Sequence, residues 1–358
     1  MRLLQKLPPK IWVVAGACLV ILALSISRYF QSYELLTYDF RLKLRPAQKV
    51  SSDIVIIEIA DDTLKNLNTW PLPRDFHASL VDVLKEYGVR AIIFDILFNE
   101  TTLQDDVFAS AIKNAGNVYV ASSFYLNEAL KNRYPPTASK KLLTDIVPSF
   151  KGGVKGFGHI NFFVDPDGAA RSVPLYIRYK EELFPQLGFK AACDYLGLDC
   201  SRVVFKKHSI IVDGKLVLPL VDDGSFAVNY PATWIKSFTH LSYYEILKAY
   251  LDSKKGLHPE LDLSLLKNKV CFIGLTATGT DLRAIPLEPV YPLVGLHASV
   301  FNSVIKRSFI TSAGIFVNTL IVFLLFDFLC HPIVLTQGFL FTAYCCDSNL
   351  YFALTFPI

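Results

Sequence analysis

Two uncharged apolar runs, Ile11 to Ser27 and Ser308 to Phe326, bracket a long stretch of mixed helix and strand pattern. Each approaches the roughly 20 residues a helix needs to cross the hydrocarbon core of a bilayer, and neither contains Asp, Glu, Lys or Arg. Arg2, Lys6 and Lys10 precede the first run with no acidic residue among them, which by the positive-inside rule keeps residues 1–10 in the cytoplasm. A cleaved signal peptide is the competing reading. The run is longer than the usual h-region, however, and the bulky Arg28-Tyr29-Phe30 that follows is a poor cleavage context. The expected organisation is a cytoplasmic start (1–10), a transmembrane helix (11–27), an extracytoplasmic module (28–307) and a second transmembrane helix (308–326). Residues 333–358 form a candidate third membrane segment, in which Asp347 would be expensive in lipid.

Composition agrees with this division. A hydrophobic fraction of 52% with 19% charged residues is high for a water-soluble chain and becomes ordinary once the apolar runs are set aside. The net charge of +4 is modest, and no stripe of Lys and Arg with interleaved aromatic residues is present, so nucleic acid is not an expected partner. Of seven cysteines, Cys18, Cys330, Cys345 and Cys346 lie in or beside apolar runs. Cys193 and Cys200 are near enough in sequence to bridge across a helix end in an oxidising compartment, whereas Cys271 reads as a buried small hydrophobe. No spacing resembles a zinc site, and no cofactor is expected.

Within 28–307 the pattern is α/β. Asp53 to Ala60 is a near-continuous aliphatic run rich in Val and Ile, as suits a strand covered on both faces. Phe76, Leu80, Val83, Leu84 and Tyr87 then recur at helical spacing, closed by Gly88, and Arg90 to Phe94 is a second aliphatic strand. Strand, helix, strand is a βαβ unit, which predicts that the two strands are parallel neighbours. A helix over Gln104 to Asn114 and a strand over Asn117 to Ser122 continue the series. His159 to Val164 and Arg171 to Tyr179 read as strands joined by the turn Asp165-Pro166-Asp167-Gly168, and Leu183 to Leu196 reads as an amphipathic helix. Asp213-Gly214 marks a hairpin. A helix around Tyr243 to Tyr250, a strand over Lys269 to Gly274 and a helix over Leu296 to Lys306 complete the module. The expected fold is one α/β domain with a mixed, largely parallel sheet and flanking helices, carried on two or three transmembrane helices.

Ligands of open parallel sheets gather beyond the carboxyl ends of the strands. Three segments occupy that position: Asp61-Asp62-Thr63, Asp95 to Glu100, and Leu275 to Asp281. If their strands are adjacent, Asp61, Asp62, Asp95 and Glu100 converge to hold a divalent cation or a polar ligand; otherwise they are helix caps and turns. The convergent arrangement would also suit a membrane-anchored, metal-dependent hydrolase, the alternative function, although no activated nucleophile or base is recognisable beside the acids. His77 borders the apolar face of its helix, where a satisfied boundary histidine is a simpler reading than a base or ligand. The glycine spacing of Gly274 to Thr280 is Walker-like, but Thr280 stands where a phosphate-binding Lys is required. Asp165 and Asp167 lack the further acids and the closing Glu of a calcium loop and read as a turn.

Several segments, taken in order, carry a family resemblance. They are Tyr38-Asp39-Phe40-Arg41, Ile54 to Asp62, Trp70-Pro71-Leu72-Pro73-Arg74 with His77, and Ala91 to Phe98. Ala115 to Val118, Gly158 to Asn161, Asp165 to Arg171, Asn229-Tyr230, Val270 to Gly274 with Thr276-Ala277, and Gly295 to Ala298 continue the series. From about Tyr33 to Arg307 the chain resembles the CHASE-type sensor domain of the second type. Pro231 and the irregular loop Thr276 to Asp281 depart from the family pattern. The resemblance implies an extracytoplasmic sensory domain of bacterial receptors, held in the inner membrane as a multi-pass protein. In that family the sensor is followed by membrane spans and a cytoplasmic adenylate or guanylate cyclase, histidine kinase or protein kinase. Together with the acidic segments it marks Asp61, Asp62, Trp70, Arg74, His77, Asp95, Glu100 and Thr276 as candidate ligand-binding residues. No catalytic residue is assigned, because Ile358 leaves no room for a cyclase or kinase and the chain reads as a truncated receptor lacking its output. The expected partners are a small-molecule or envelope signal, the membrane, and a second copy or a partner receptor.

Overall fold

A computed structural model describes residues 31–126, 135–221, 224–279 and 281–311. The expected first span, the third segment and all but the first residues of the second span lie outside the described residues. Among the described residues no helix is long and apolar enough to cross a membrane. Residues 32–312 form one compact unit.

Seven strands build its central sheet: β1 (Ile54–Ile59), β2 (Ala91–Asp95), β3 (Val118–Phe124), β4 (Leu142–Thr144), β5 (Gly156–His159), β6 (Thr239–Ser242) and β7 (Val270–Leu275). The order is β6-β1-β7-β2-β3, with β5 running parallel to β3 and β4 antiparallel to its end. All neighbours except β4 are parallel. Such a sheet must be covered on both faces. Helices α1 (Gln31–Leu44), α2 (Asp61–Leu67), α3 (Arg74–Glu86), α4 (Asp105–Ala115), α5 (Leu187–Tyr195), α6 (Tyr243–Lys254) and α7 (Val294–Lys306) are the main helical elements.

Strand side chains alternate between two cores, as the two-residue period requires. Val55, Ile57, Ile92, Phe94, Val120, Cys271 and Ile273 face a core shared with α3, α4 and α6. Ile54, Ile56, Ile93, Tyr119, Val270 and Phe272 face the other, shared with α5 and α7. Two short antiparallel sheets, one short mixed sheet in which Thr137–Ser139 runs parallel to Tyr176–Tyr179, and a two-stranded ribbon surround this second layer. In one of them Asp213 and Gly214, both at positive φ, close the hairpin between Ser209–Val212 and Leu216–Pro219.

Most predicted elements are present, with several differences. The strand expected over His159 to Val164 is two pieces, ending at His159 and resuming at Phe163–Val164 in another sheet, and the one expected over Arg171 to Tyr179 is split into Ala170–Val173 and Tyr176–Tyr179. β1 and β2 are parallel but not adjacent, because β7 lies between them and pairs with both, Gly274 standing level with Glu58 and Asp95. Periodicity reports that a strand is buried on two faces and carries no record of its lateral neighbours. The helix expected over Leu183 to Leu196 begins only at Leu187. Glu182–Pro185 is a strand, Pro185 ends it, and Gln186 caps the helix by accepting the Phe189 N–H. Cys193 and Cys200 are free thiols, and Cys271 is buried as expected.

Two glycines set the spacing of the second layer. A Cβ on Gly188 of α5 would run into the His297 carbonyl of α7, and one on Gly274 of β7 would run into the Val294 side chain. Both contacts involve groups that cannot swing away. Gly188→Ala is therefore expected to lower stability by about 1–3 kcal/mol, the range for overpacking. Gly152→Ala, at a position with open space and an ordinary φ of −79°, is expected to stay within about 0.5 kcal/mol. Urea denaturation of the two variants beside the parent checks this, and equal losses would contradict it.

Candidate functional site

The eight residues marked in the sequence fall into separate places. Asp61, in the first turn of α2, accepts hydrogen bonds from the Thr278 N–H (3.1 Å) and hydroxyl (2.6 Å). Asp62 accepts the Ser242 hydroxyl at the start of α6. Thr276 donates to Glu58 (2.9 Å), whose other oxygen meets His240 (2.7 Å). These groups gather at the carboxyl ends of β1 and β7 as mutual caps. Arg74 bonds Asp105 (3.2 Å) and the Glu100 carbonyl (3.1 Å) and lies over the Phe98 ring, while the Glu100 side chain is exposed. Trp70 is half exposed.

His77 is a core residue. Its ring meets Phe94, Phe98 and Phe108 and shares a hydrogen bond with the Tyr243 hydroxyl at 3.1 Å. Burial, reinforced by the Arg74 charge, pushes its pKa down to about 3, so it is neutral. The expected convergence of Asp61, Asp62, Asp95 and Glu100 does not occur. The insertion of β7 separates the end of β1 from the end of β2. Among the described residues no group of three or more His, Cys, Asp or Glu is placed to hold a metal ion.

Asp95 alone of the eight stands in a cavity. At the carboxyl end of β2, about 180 Å³ is enclosed by Asp95, Ser123, Ile160, Asn161, Phe162, Asp281, Leu293 and His297. Two of the three segments that follow strands thus meet here, Asp281 arriving because β7 is the neighbour of β2. Asp95 is 7% exposed, and no hydrogen bond reaches its Oδ1. The nearest N–H belongs to His297 Nε2, at 3.4 Å.

The protonation of that histidine follows from its neighbours. Gln186 Oε1 accepts the Phe189 N–H, which turns its NH₂ group towards His297 Nδ1. Nδ1 is therefore the acceptor, and the ring hydrogen sits on Nε2, facing Asp95. Burial lowers His297 to about 4 and raises Asp95 to about 7, so the pair is held neutral rather than as an ion pair. Asp281, towards the mouth, is raised to about 6 by desolvation and by the charge of Asp95. Deeper in the same layer His159 is fully buried and lowered to about 3, chiefly by burial.

A second constellation ties this layer to α1. Arg171 forms a two-pronged contact with Asp39 of α1 (2.9 and 2.7 Å) and also bonds Asp165 (3.0 Å) and Asp167 (2.8 and 2.6 Å). These bonds hold Asp167 below the usual carboxylate range. Arg45, just past α1, donates to the Tyr230 carbonyl. At the other end, Asn302 of α7 accepts the Ser51 N–H, and Asn229 donates to the Ser308 carbonyl and hydroxyl. Both chain ends of the unit are thereby pinned to the layer that contains the cavity.

The family model of the CHASE2 domain matches residues 14–329. The chain belongs to the CHASE2 family. This is a family of sensory rather than catalytic domains. No curated protein and no solved structure matches the chain. The cavity residues His297, Asp281 and Asn161 of this CHASE2 chain all lie in or beside segments that carry the family resemblance, yet none was singled out from sequence. The available signal was a lone His between Leu296 and Ala298 in the first, apolar turns of the helix, together with an acid closing the loop after β7.

Two outcomes follow. Asp95 carries a folded pKa of about 7 against 3.8 for the free group, so between pH 4 and 7 the native state retains a proton that the unfolded chain releases, and stability falls as pH rises. Asp95→Asn is expected to remove that loss. At pH 7.5 the variant should gain about 2–4 kcal/mol over the parent, at 1.36 kcal/mol per pKa unit, and it should match the parent at pH 4. His77, His159 and His297 act in the opposite sense, their stabilisation being complete above pH 6.5 and lost towards pH 4, and they do so equally in both proteins. Denaturation at the two pH values reads the difference, and a gain independent of pH would contradict the assignment. Arg171→Leu removes the cation shared by Asp39, Asp165 and Asp167 and is expected to cost about 3 kcal/mol. Asp39→Asn in that background should recover part of the loss, as thermal denaturation would show.

Proposed function

We propose that residues 28–307 are an extracytoplasmic sensory module of a bacterial inner-membrane protein, anchored by the apolar runs 11–27 and 308–326, whose signal is registered in the Asp95 cavity. The observation that carries this reading is a carboxyl oxygen, Asp95 Oδ1, buried without a hydrogen bond at the carboxyl end of a parallel strand and facing a cavity. A buried polar group left without its partner is costly, and such sites are where ligands bind or states switch. The uncharged runs and the basic residues before the first of them support the membrane placement. Membership in a sensory family supports the role.

The route from cavity to membrane uses α7. His297 lines the cavity, and the same helix runs on to Lys306, immediately before the second apolar run. Occupancy that prefers one position of α7 over another shifts the population of that position, which is all a ligand can do. The Arg171 clamp meanwhile fixes α1, which leads back to the first run. A second copy or a partner receptor is the proposed recipient of the shift.

Hydrogen exchange on the full chain in lipid nanodiscs tests the coupling. Asp95→Asn is expected to change amide protection in residues 300–307 as well as around β2. A change confined to the cavity lining contradicts transmission through α7. Placement is tested in intact cells with a membrane-impermeant thiol reagent. Val204→Cys, at an exposed position, should be labelled without lysis, and labelling only after lysis overturns the extracytoplasmic assignment.

A further inference from the structure

The cavity has two carboxyl groups and no cation to compensate the charge they acquire on ionisation. Asp95 offers an oxygen that no group reaches, and Asp281 presents a second carboxyl to the same space. No Lys or Arg is among the lining residues. Ser123 adds only a neutral hydroxyl, and the two other polar neighbours, Asn161 and His297, are already committed. Asn161 uses its amide on both backbone groups of Phe124, accepting the N–H (2.9 Å) and donating to the carbonyl (2.6 Å). His297 receives the Gln186 NH₂ on Nδ1, so it has no lone pair left for a metal, and its Nε2 atom stays 3.4 Å from Asp95 Oδ1. What is missing is a donor carrying positive charge. Ile160, Phe162 and Leu293 form the apolar part of the lining.

Resting on the sensory reading of this cavity, we propose that it binds a small organic cation with a primary ammonium group. The ammonium hydrogens go to Asp95 and Asp281, and a short apolar tail lies against Ile160, Phe162 and Leu293. An ammonium offers three donors on one centre, which matches two carboxyls converging from adjacent strand ends. An anion would meet two like charges, and a neutral molecule would leave both acids uncompensated. The size limit follows from the volume. A cavity of about 150 Å³ holds benzene, so a space of about 180 Å³ admits a molecule of roughly six heavy atoms.

Binding of this kind is coupled to protons. Near pH 6 Asp95 is largely protonated and Asp281 partly so, and the cation favours their charged forms. The other titratable groups facing the two acids are His297 of α7, neutral in the fold, and Arg283 beyond Asp281, with His159 of β5 behind His297. None of them is a cation that enters the cavity. Loading therefore releases protons and strengthens as the pH rises.

Calorimetry and thermal unfolding of the full chain in lipid nanodiscs, with propylammonium, propionate and 1-propanol as probes, decide the matter. Propylammonium is expected to bind and raise Tm, with affinity about tenfold higher at pH 8 than at pH 6. Asp95→Asn and Asp281→Asn should each weaken it by about tenfold or more, the loss of a charge-assisted hydrogen bond. Asp281 lies at the mouth, so its variant keeps the test open if Asp95→Asn does not fold. Propylammonium binding that both variants retain overturns the assignment. Uptake of propionate or 1-propanol without propylammonium overturns the cation while leaving the cavity as the sensory site. Failure of the sensory reading registers separately, in unchanged protection of residues 300–307.

Discussion

The insertion of β7 between β1 and β2 is the constraint on which the rest of the unit depends. It brings residues about two hundred positions apart into register, Gly274 against both Glu58 and Asp95. Everything that follows β7 in the chain is then delivered to the centre of the sheet rather than to its edge. The loop that ends in Asp281 emerges beside Asp95, and α7 returns across the face of the sheet carrying His297. Gly274 has no side chain because Val294 occupies that space. A fold that placed β7 at an edge would have neither the cavity nor a direct connection from it to the end of the unit.

The polar groups of this layer are kept uncharged by the same burial that makes the layer stable. Asp95 is raised and His297 lowered until the two coexist as neutral neighbours. Charge is concentrated instead at Arg171, where one guanidinium serves three carboxylates near the surface of α1. The contrast is functional. A neutral, under-bonded site responds to small changes in its occupant, whereas a charge-assisted clamp of short hydrogen bonds resists movement. On the proposed reading, sensing and holding fall to different electrostatic regimes within one domain.

What was legible in the sequence follows from what each physical signal encodes. The strands around Ile56, Ile93, Val120 and Phe272 could be read because a strand buried on both faces must be aliphatic along its whole length. The helices around Leu80 and Ile246 could be read because one face is buried. Lateral order could not, since β1 and β7 present the same pattern whether adjacent or distant. That gap explains the site. Asp95 and the segment ending at Asp281 were correctly placed after strands, but Asp61 and Asp62, expected to join Asp95, follow β1 on the far side of β7, and the Glu100 side chain is exposed. His297 escaped notice because a histidine held neutral in an apolar helix leaves the same periodicity as a core residue. His77 shows that the bland reading can be right, for it is buried among Phe94, Phe98 and Phe108 with Tyr243 as its polar partner.

One feature of α7 bears on how force leaves the unit. The helix stops at Lys306, where Arg307 takes a left-handed conformation (φ 51°), and residues 308–311 have no regular secondary structure. A continuous helix transmits rotation about its axis as readily as displacement along it. The link after it is not helical, and Ser308 is held in place by its N–H on the Ser303 carbonyl and by Asn229, while the Phe309 ring packs on Phe226. On the proposed coupling, α7 therefore hands on displacement rather than rotation. Such a linkage is a tether rather than a drive shaft.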